Sequence, residues 1–192
     1  MKKIGIYSGS FNPIHHGHVM LANYLVEFSD LDELWFVVSP QNPLKQKADL
    51  LEDKERLKMV KLAIGDDPRF HVNDIEMHLS LPSYTINTLT ALSEQHHDCQ
   101  FVFICGMDSL QNLPQWREYQ KILDNYKLLV FPREGYDGGE LRNHPSVTIL
   151  KTPIIEVSST FIRDCIRQGQ DVRHFMPEKA FKYLEKKGFY KA

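Results

Sequence analysis

The sequence has few cysteines and no long apolar run, and these two features argue against disulfide-rich and membrane-spanning proteins. Three cysteines stand far apart without a C-x-x-C pair, which is typical of reduced thiols rather than of a disulfide framework. No apolar stretch approaches the roughly 20 residues that cross a bilayer. Gly5, Tyr7 and Ser8 interrupt the first apolar segment, so we expect no signal peptide and no membrane span. We expect a cytoplasmic protein in which Cys105 and Cys165 are buried.

An excess of charge of either sign is also missing. The chain carries 23 lysines and arginines against 25 aspartates and glutamates, a formal net charge of −2 at pH 7. A basic field that would attract nucleic acid or an anionic membrane is therefore absent, so neither is an expected partner, and any anion site has to be local. The Walker A pattern and the G-x-G-x-x-G fingerprint do not occur, so any phosphate binding uses other residues.

Short apolar segments recur along the chain and predict a sheet. They are rich in β-branched and aromatic residues, as strands buried on both faces of a parallel sheet are. The clearest segments are residues 4–7, 34–38, 101–105 and 128–131, with weaker ones at 70–72 and 147–150. Helical patterns lie between them, including residues 20–28, 57–64 and 85–92. This alternation predicts an α/β fold with a doubly wound, mostly parallel sheet.

The second half of the chain contains one expected loop and two expected helices. Residues 132–145 are rich in glycine, charge and asparagine, which is typical of a surface loop. Residues 158–167 and 177–187 have helical patterns, and the second ends at Gly188. We expect a single domain, 1–192, whose C-terminal part from about residue 157 to 192 is a helical subdomain packed on the end of the sheet.

The segment from Gly9 to His18 contains the strongest functional signal. It joins the first predicted strand to a predicted helix, the place where open parallel sheets bind phosphate. His15 and His18 are three residues apart and can point to one side of the helix start. Two imidazoles beside free backbone N–H groups can stabilise charge on a phosphoryl group. A zinc site would need further ligands, and a capping or solvated role is the other alternative. His16 receives no role.

Two further groups of residues fit the same site. Ser158 can cap the helix that follows it, and hydroxyls at a helix start together with Arg163 can bind phosphate oxygens. Asp108 follows the strand at 101–105, where a carboxylate can bond ribose hydroxyls. A surface arginine on a capped helix and a turn capped by Asp108 are the respective structural alternatives.

These motifs resemble those of the nucleotidyltransferase superfamily. Residues 9–18 match its signature G-S/T-F-D/N-P-x-H-x-G-H, and residues 157–163 match its second signature, I-S-S/A-T-x-I-R, with valine in the first position. Further patterns are similar to those of bacterial nicotinate-nucleotide adenylyltransferases: P-x-N-P-x-K from Pro40, P-S-Y-T from Pro82, G-x-D-S with a following tryptophan from Gly106, and R-P-G-Y from Arg133, with Glu134 in place of proline. The resemblance covers essentially the full chain.

The resemblance implies a Rossmann-like nucleotidyltransferase fold and a reaction in which nicotinate mononucleotide attacks the α-phosphorus of ATP. It implies direct displacement, with Mg²⁺ carried by ATP and no metal site of the protein's own. The implied catalytic residues are His15, His18 and Ser10. The implied ATP-binding residues are Gly9, Ser10, Phe11, His15, His18, Gly106, Asp108, Arg133, Ser158, Thr160 and Arg163. The implied substrate-binding residues are Asn42, Lys45, Thr85 and Trp116.

Three alternatives stay open. An adenylyltransferase for phosphopantetheine shares the first motif, and one for nicotinamide mononucleotide would differ only in its choice of ring substituent. A nucleotide sensor without catalysis is the third, although it would not need contacts to a leaving group. A homo-oligomer is possible, and the sequence does not set its size.

Overall fold

The computed structural model describes residues 1–40, 50–153 and 155–191. These residues form six strands and seven α-helices that alternate along most of the chain. The strands are β1 (Lys2–Gly9), β2 (Glu33–Val38), β3 (Phe70–Asn73), β4 (Cys99–Gly106), β5 (Lys127–Phe131) and β6 (Val147–Ile149). The helices are α1 (His16–Phe28), α2 (Asp53–Ile64), α3 (Thr85–Gln95), α4 (Met107–Asn112), α5 (Tyr119–Asn125), α6 (Ser159–Arg167) and α7 (Glu178–Lys187).

The six strands form one sheet in the order β3-β2-β1-β4-β5-β6. All five strand pairings of the described residues are parallel, so the sheet expected to be mostly parallel is parallel throughout. This is the order of a doubly wound fold, in which the chain runs from the centre to one edge and then returns to build the other half. The predicted fold class and all six predicted strands are confirmed.

Helices cover both faces of the sheet. Alternate residues of β1 point to opposite faces, and Ile6 and Tyr7 accordingly belong to two different hydrophobic clusters. The cluster around Tyr7 includes buried residues of α1, α2, α6 and α7. The cluster around Ile6 includes buried residues of α3, α4 and α5. Cys105 and Cys165 are both buried in these clusters, as expected.

The two C-terminal helices share the core of the sheet. Ile162 of α6 and Leu184 of α7 lie in the same cluster as Leu25 of α1. The Tyr183 hydroxyl of α7 also donates a hydrogen bond to the Glu55 carboxylate of α2 at 2.7 Å. The C-terminal helices therefore pack against the face that α1 and α2 cover.

Two helices, α4 and α5, were not predicted. They contain six and seven residues, which is too short for a 3.6-residue periodicity to show in the sequence. The residues expected to form a loop at 132–145 include a short 3₁₀ helix, Gly139–Asn143. Within the described ranges, no helix is long and apolar enough to cross a membrane.

Candidate active site

The candidate site lies where β1 and β4 pair at the centre of the sheet. From this pair the connections run in opposite directions, and such a switch point leaves a crevice at the carboxyl ends of the strands where ligands bind. β1 ends at Gly9 and β4 ends at Gly106. The two-histidine motif after β1 and Asp108 after β4 therefore lie on one rim.

The two histidines of the first motif are stacked on each other. His15 is the N-cap residue of α1 and His18 lies in its first turn. Their ring centroids are 3.7 Å apart with 25° between the planes, and the backbone N–H of His15 donates to Nδ1 of His18 at 3.2 Å. The ring of Phe11, itself 2% exposed, meets His18 edge-on at 5.1 Å. The three-residue spacing thus places both imidazoles on one side of the helix start, as predicted.

Burial determines the charge of His15. Only 4% of its surface is exposed. The loss of solvation, together with the positive charge of Arg133 and the neighbouring His16, lowers the pKa of its imidazole to about 4. His15 is therefore neutral at pH 7. Its side chain takes part in a capping box with the backbone N–H of His18, and a neutral imidazole keeps one ring N–H that can donate to a bound oxygen.

The zinc alternative finds no support in the described part of the chain. There, no group of three or more histidine, cysteine, aspartate or glutamate side chains is placed to hold a metal ion. The arrangement of His15 and His18 at a helix start instead suits an anion, because the first N–H groups of the helix have no acceptor within it.

Two glycines keep the rim open for these side chains. A Cβ on Gly17 would stand 2.9 Å from Nδ1 of His15, so a larger residue would displace the imidazole. A Cβ on Gly106 would stand 2.4 Å from Oδ1 of Asp108 and 3.0 Å from Cγ of Arg133. Each glycine therefore permits these side chains to lie where a Cβ would require them to shift.

Asp108 and Arg133 form a loose pair across the rim. Oδ1 of Asp108 and Nε of Arg133 are 3.7 Å apart, with 39% and 51% of the side chains exposed. The guanidinium also lies over the ring of Phe131, 5.3 Å from its centroid. Asp108 belongs to the first turn of α4, whose N-cap residue is Gly106, so a turn capped by Asp108 was the wrong alternative. Both side chains remain accessible to a ligand.

The second motif packs directly against the first. Ser158 caps α6, since its Oγ accepts from the N–H of Phe161 at 3.1 Å, as predicted. The Ser159 hydroxyl donates to the carbonyl oxygen of Pro13 at 2.8 Å. Nη1 of Arg163 donates to the carbonyl oxygen of Asn12 at 2.9 Å. The structure thus brings together two motifs that are more than 140 residues apart in the sequence.

Within the second motif, Arg163 is only partly satisfied by protein groups. Its Nη2 donates to Oγ1 of Thr160 at 3.3 Å, while its buried Nε has no hydrogen-bond partner among the described residues. Arg163 therefore fixes the Asn12 loop and retains a donor that a ligand can use.

The two described substrate-binding candidates lie on neighbouring segments. Thr85 is the first residue of α3, where the backbone N–H has no acceptor within the helix. Trp116 follows a short 3₁₀ helix and contacts the ring of Phe103 edge-on at 6.2 Å. The guanidinium of Arg117 lies over the ring of Tyr84, 5.0 Å from its centroid, which joins the two segments. The other two candidates, Asn42 and Lys45, lie outside the described residues.

The backbone N–H of Trp116 is already engaged. It donates to the carbonyl oxygen of Leu113 at 2.8 Å. Thr85 and Trp116 are both implied substrate-binding residues, and a backbone amide near either one could bind the carboxylate of nicotinate. In this structure the amide of Trp116 has an acceptor of its own, so the first turn of α3 is the better candidate for binding that carboxylate.

Sequence reasoning missed Arg56, which is fully buried beneath the rim. Its Nη1 donates to the carbonyl oxygens of Ser10 at 2.6 Å and Ser39 at 2.8 Å, which joins the loops after β1 and β2. Burial lowers the pKa of its guanidinium, while the hydrogen bond that Arg56 donates to the Asp53 carboxylate opposes that shift. The available signal was its spacing from Met59 and Val60, which places Arg56 on the apolar face of α2.

Comparison with known proteins shows the broad class of proteins to which the chain belongs. The family described as Cytidylyltransferase-like matches residues 6–165, a range that contains both histidine-bearing and serine-bearing motifs. Together with the parallel sheet and its switch point, this match defines the chain as a nucleotidyltransferase. A solved structure of the same fold is "Plasmodium falciparum nicotinic acid mononucleotide adenylyltransferase complexed with NaAD", which covers 99% of this chain and 98% of its own at a TM-score of 0.83 and 22% identity.

Curated relatives narrow the class. A protein of Flavobacterium johnsoniae is 44% identical over 98% of this chain and 99% of its own length. A protein of Bacteroides fragilis is 47% identical over 95% of this chain and 90% of its own length. Both are named probable nicotinate-nucleotide adenylyltransferases. The chain belongs to the nicotinate-nucleotide adenylyltransferase family.

Proposed function

We propose that this chain transfers the adenylyl group of ATP to nicotinate mononucleotide, giving nicotinate adenine dinucleotide and pyrophosphate in NAD biosynthesis. The observation that carries the proposal is its full-length similarity to relatives named for this activity, at 44% and 47% identity. The stacked histidines at the switch point supply the chemistry such a transfer needs, and nucleotides are accordingly the small-molecule partners.

The reaction is a direct displacement at phosphorus. A phosphate oxygen of nicotinate mononucleotide forms a bond to the α-phosphorus of ATP, while the bond from that phosphorus to the bridging oxygen of the β-phosphate breaks. Pyrophosphate leaves with the electron pair. No protein nucleophile is needed, because phosphoryl-type transfer depends mainly on positioning and on stabilising charge.

His15 and His18 would stabilise the charge that develops on the transferred group. The neutral His15 can donate one hydrogen bond to a phosphate oxygen, and the N–H groups at the start of α1 add their partial positive charge. His18, held by the backbone of His15, would contact the same phosphate. Ser10, with Gly9 at the end of β1 and Phe11 in the loop before α1, would assist.

The remaining rim residues would hold the rest of ATP. Asp108, beside Gly106, is placed to accept from ribose hydroxyls, and Arg133 opposite it can pair with phosphate. Ser158, Thr160 and Arg163 would hold the pyrophosphate. Support for this assignment comes from the docking of α6 on the Asn12–Pro13 loop and from Nε of Arg163, which has no hydrogen-bond partner in the part of the chain that the structure describes.

The acceptor mononucleotide would lie towards α3. Trp116 offers a flat ring for the pyridine, and such stacking contributes about 1–3 kcal/mol. The first turn of α3 at Thr85 offers N–H groups and a hydroxyl to the nicotinate carboxylate. Asn42 and Lys45 are proposed partners of its phosphate.

Mg²⁺ would arrive bound to the phosphates of ATP, where it would neutralise charge on the leaving group. The described rim supplies imidazole, guanidinium and a single carboxylate, which suits phosphate oxygens better than a resident hard cation. We further propose that the reaction takes place in the cytoplasm, where three unpaired thiols stay reduced.

Acceptor competition tests the proposal. The chain is incubated with Mg·ATP and an equimolar mixture of nicotinate mononucleotide, nicotinamide mononucleotide and phosphopantetheine, and the products are identified by mass. We expect nicotinate adenine dinucleotide as the main product. Exclusive adenylylation of phosphopantetheine would overturn the acceptor assignment, and tight nucleotide binding without any product would favour a sensor.

A further inference from the structure

One buried carboxylate beside the site has no part in the reaction above. Glu76 is 3% exposed, and its carboxylate accepts hydrogen bonds from three hydroxyl groups. Oε1 accepts from Ser8 at 2.9 Å and from Thr88 at 3.0 Å, and Oε2 accepts from Ser39 at 2.6 Å. Among the described residues no lysine, arginine or histidine forms an ion pair with it.

The three hydroxyls belong to three different elements. Ser8 lies in β1, two residues before Ser10 of the first motif. Ser39 directly follows β2, and its backbone N–H donates to the carbonyl oxygen of Gly9 at 2.9 Å. Thr88 lies in α3, one turn after Thr85 and on the same side of the helix. Glu76 therefore joins both strand ends at the rim to the start of the helix proposed to bind nicotinate.

A carboxylate in this environment is an inefficient way to stabilise a fold. Removing a carboxylate from water is costly, and three neutral hydroxyls compensate for that loss less well than an arginine would. Apolar side chains of similar volume often serve stability equally well at such positions. The carboxylate instead constrains geometry, because its two oxygens hold three hydroxyl donors at fixed positions relative to one another.

We infer that Glu76 is a positioning residue for the acceptor, which sets the start of α3 at a fixed distance from the ends of β1 and β2. The inference rests on the proposed function. The phosphate of the acceptor must reach the α-phosphorus while its nicotinate carboxylate is held at Thr85. The distance between the start of α3 and the ends of β1 and β2 therefore decides whether both contacts can form at once. ATP, which in the proposed arrangement would be held mainly by α1, α4 and α6, would not span this separation.

Steady-state kinetics of three variants tests the inference. Thr88→Val removes the bond between Glu76 and α3, together with the longer contact of the same hydroxyl to the carbonyl oxygen of Tyr84 at 3.4 Å, and keeps the side-chain shape. Glu76→Gln keeps the shape and one acceptor oxygen, and hydroxyls can reverse to accept from its amide. Glu76→Ala removes the carboxylate altogether. We expect KM for nicotinate mononucleotide to rise about tenfold or more in Thr88→Val and Glu76→Ala, and less in Glu76→Gln. The reason is that a displaced start of α3 would bind the nicotinate carboxylate less well while the acceptor phosphate stays at the α-phosphorus. KM for ATP should stay within about twofold.

Tyr126→Phe is the matched control. The Tyr126 hydroxyl bonds to the Ser93 hydroxyl at 3.1 Å, towards the other end of α3. This variant also loses one hydroxyl contact to α3, and both KM values should remain those of the wild type. The melting temperature of each variant is measured, and the assays are run below the temperature at which any variant unfolds.

The outcomes separate the two proposals. Wild-type turnover with unchanged KM for nicotinate mononucleotide in Thr88→Val and Glu76→Gln would overturn the role of Glu76 alone, as would an equal rise in KM for both substrates. A wild-type protein that uses no pyridine mononucleotide would overturn the proposed function, and this inference with it.

Discussion

His15 and His18 differ in exposure although their rings are stacked. His15 is buried and neutral, whereas His18 is only half-buried and is fixed by the backbone of its neighbour. A half-buried imidazole at a helix start is accessible to substrate, so His18 should contribute more to the reaction than to folding.

Replacement of His18 by alanine should lower kcat by about two orders of magnitude or more, because it removes a donor aimed at the developing charge. The unfolding transition should move little, since the side chain is not in the core. Turnover of ATP and nicotinate mononucleotide, together with thermal unfolding, checks this. Wild-type kcat in a folded His18→Ala protein would exclude His18 from catalysis.

The lowered pKa of His15 predicts a pH dependence of stability. Its folded-state pKa of about 4 lies below the unfolded value of 6.5, so the unfolded chain takes up a proton first as the pH falls. The contribution of neutral His15 to the free energy of unfolding is complete above about pH 6.5 and is lost as the pH falls towards 4. The difference between the folded and unfolded pKa values corresponds to roughly 3 kcal/mol of unfolding free energy.

Urea unfolding of the wild type and of His15→Gln between pH 4 and pH 8 measures that loss. The difference in unfolding free energy between the two proteins should shrink as the pH decreases. A difference that is constant over this range would mean that His15 titrates normally in the folded protein.

Trp116 is predicted to act in binding. Trp116→Ala removes the ring on which the pyridine would stack, so KM for nicotinate mononucleotide should rise about tenfold or more, while KM for ATP changes little. Initial rates with each substrate varied in turn supply both constants. An unaltered KM for the mononucleotide would place Trp116 outside the pocket.

The start of α1 combines helix geometry with a close approach to His15. Gly17→Ala should slightly favour the helix, by up to about 1 kcal/mol, yet its Cβ would press on the His15 ring. We therefore expect kcat to fall about tenfold or more without a loss of stability. Met20→Ala, on the exposed side of the same helix, is the control and should retain wild-type kcat. Equal activity of both variants would contradict the placement of His15 in catalysis.

Elements with a strong local pattern were predictable from sequence. The strand at 101–105 is a continuous apolar run, and α6 begins at a serine that caps it, so both were placed within a few residues. The meeting of His15 with His18 followed from their spacing on a helix. Local signals of this kind do not depend on tertiary contacts.

Contacts between distant segments were not predictable in the same way. Arg56 reads as one more charge on a polar helix, yet the fold buries it against two loops. Glu76 lies in a short 3₁₀ helix with no periodicity. Most of their partners lie on other elements, at the ends of β1 and β2 and in α3, so only the assembled fold shows what they join.

The C-terminal segment contacts the loop of the first motif near the site. The Tyr190 hydroxyl, close to the C-terminus, donates to Oδ1 of Asn12 at 2.6 Å, and burial raises its pKa so that it stays a donor. The same Oδ1 accepts from the N–H of Leu51 at 3.2 Å. Asn12 thus links the last residues of the chain to the loop that precedes α1.

Removal of that hydroxyl should destabilise the whole protein. Tyr190→Phe loses a buried hydrogen bond, so the unfolding free energy should fall by about 1 kcal/mol. Tyr24→Phe is the control, since the Tyr24 hydroxyl bonds the carbonyl oxygen of Lys151 at the exposed surface. Denaturant unfolding of the two variants checks this, and an equal effect in both would contradict a special role for Tyr190.

The proposed function assigns nicotinate-nucleotide adenylyl transfer to the rim at β1 and β4. The most direct test is the steady-state rate of pyrophosphate release from Mg·ATP, measured with one acceptor at a time. We predict that kcat/KM with nicotinate mononucleotide exceeds the values with nicotinamide mononucleotide and with phosphopantetheine. Release that depends on phosphopantetheine alone, or no release with any of the three acceptors, would contradict it.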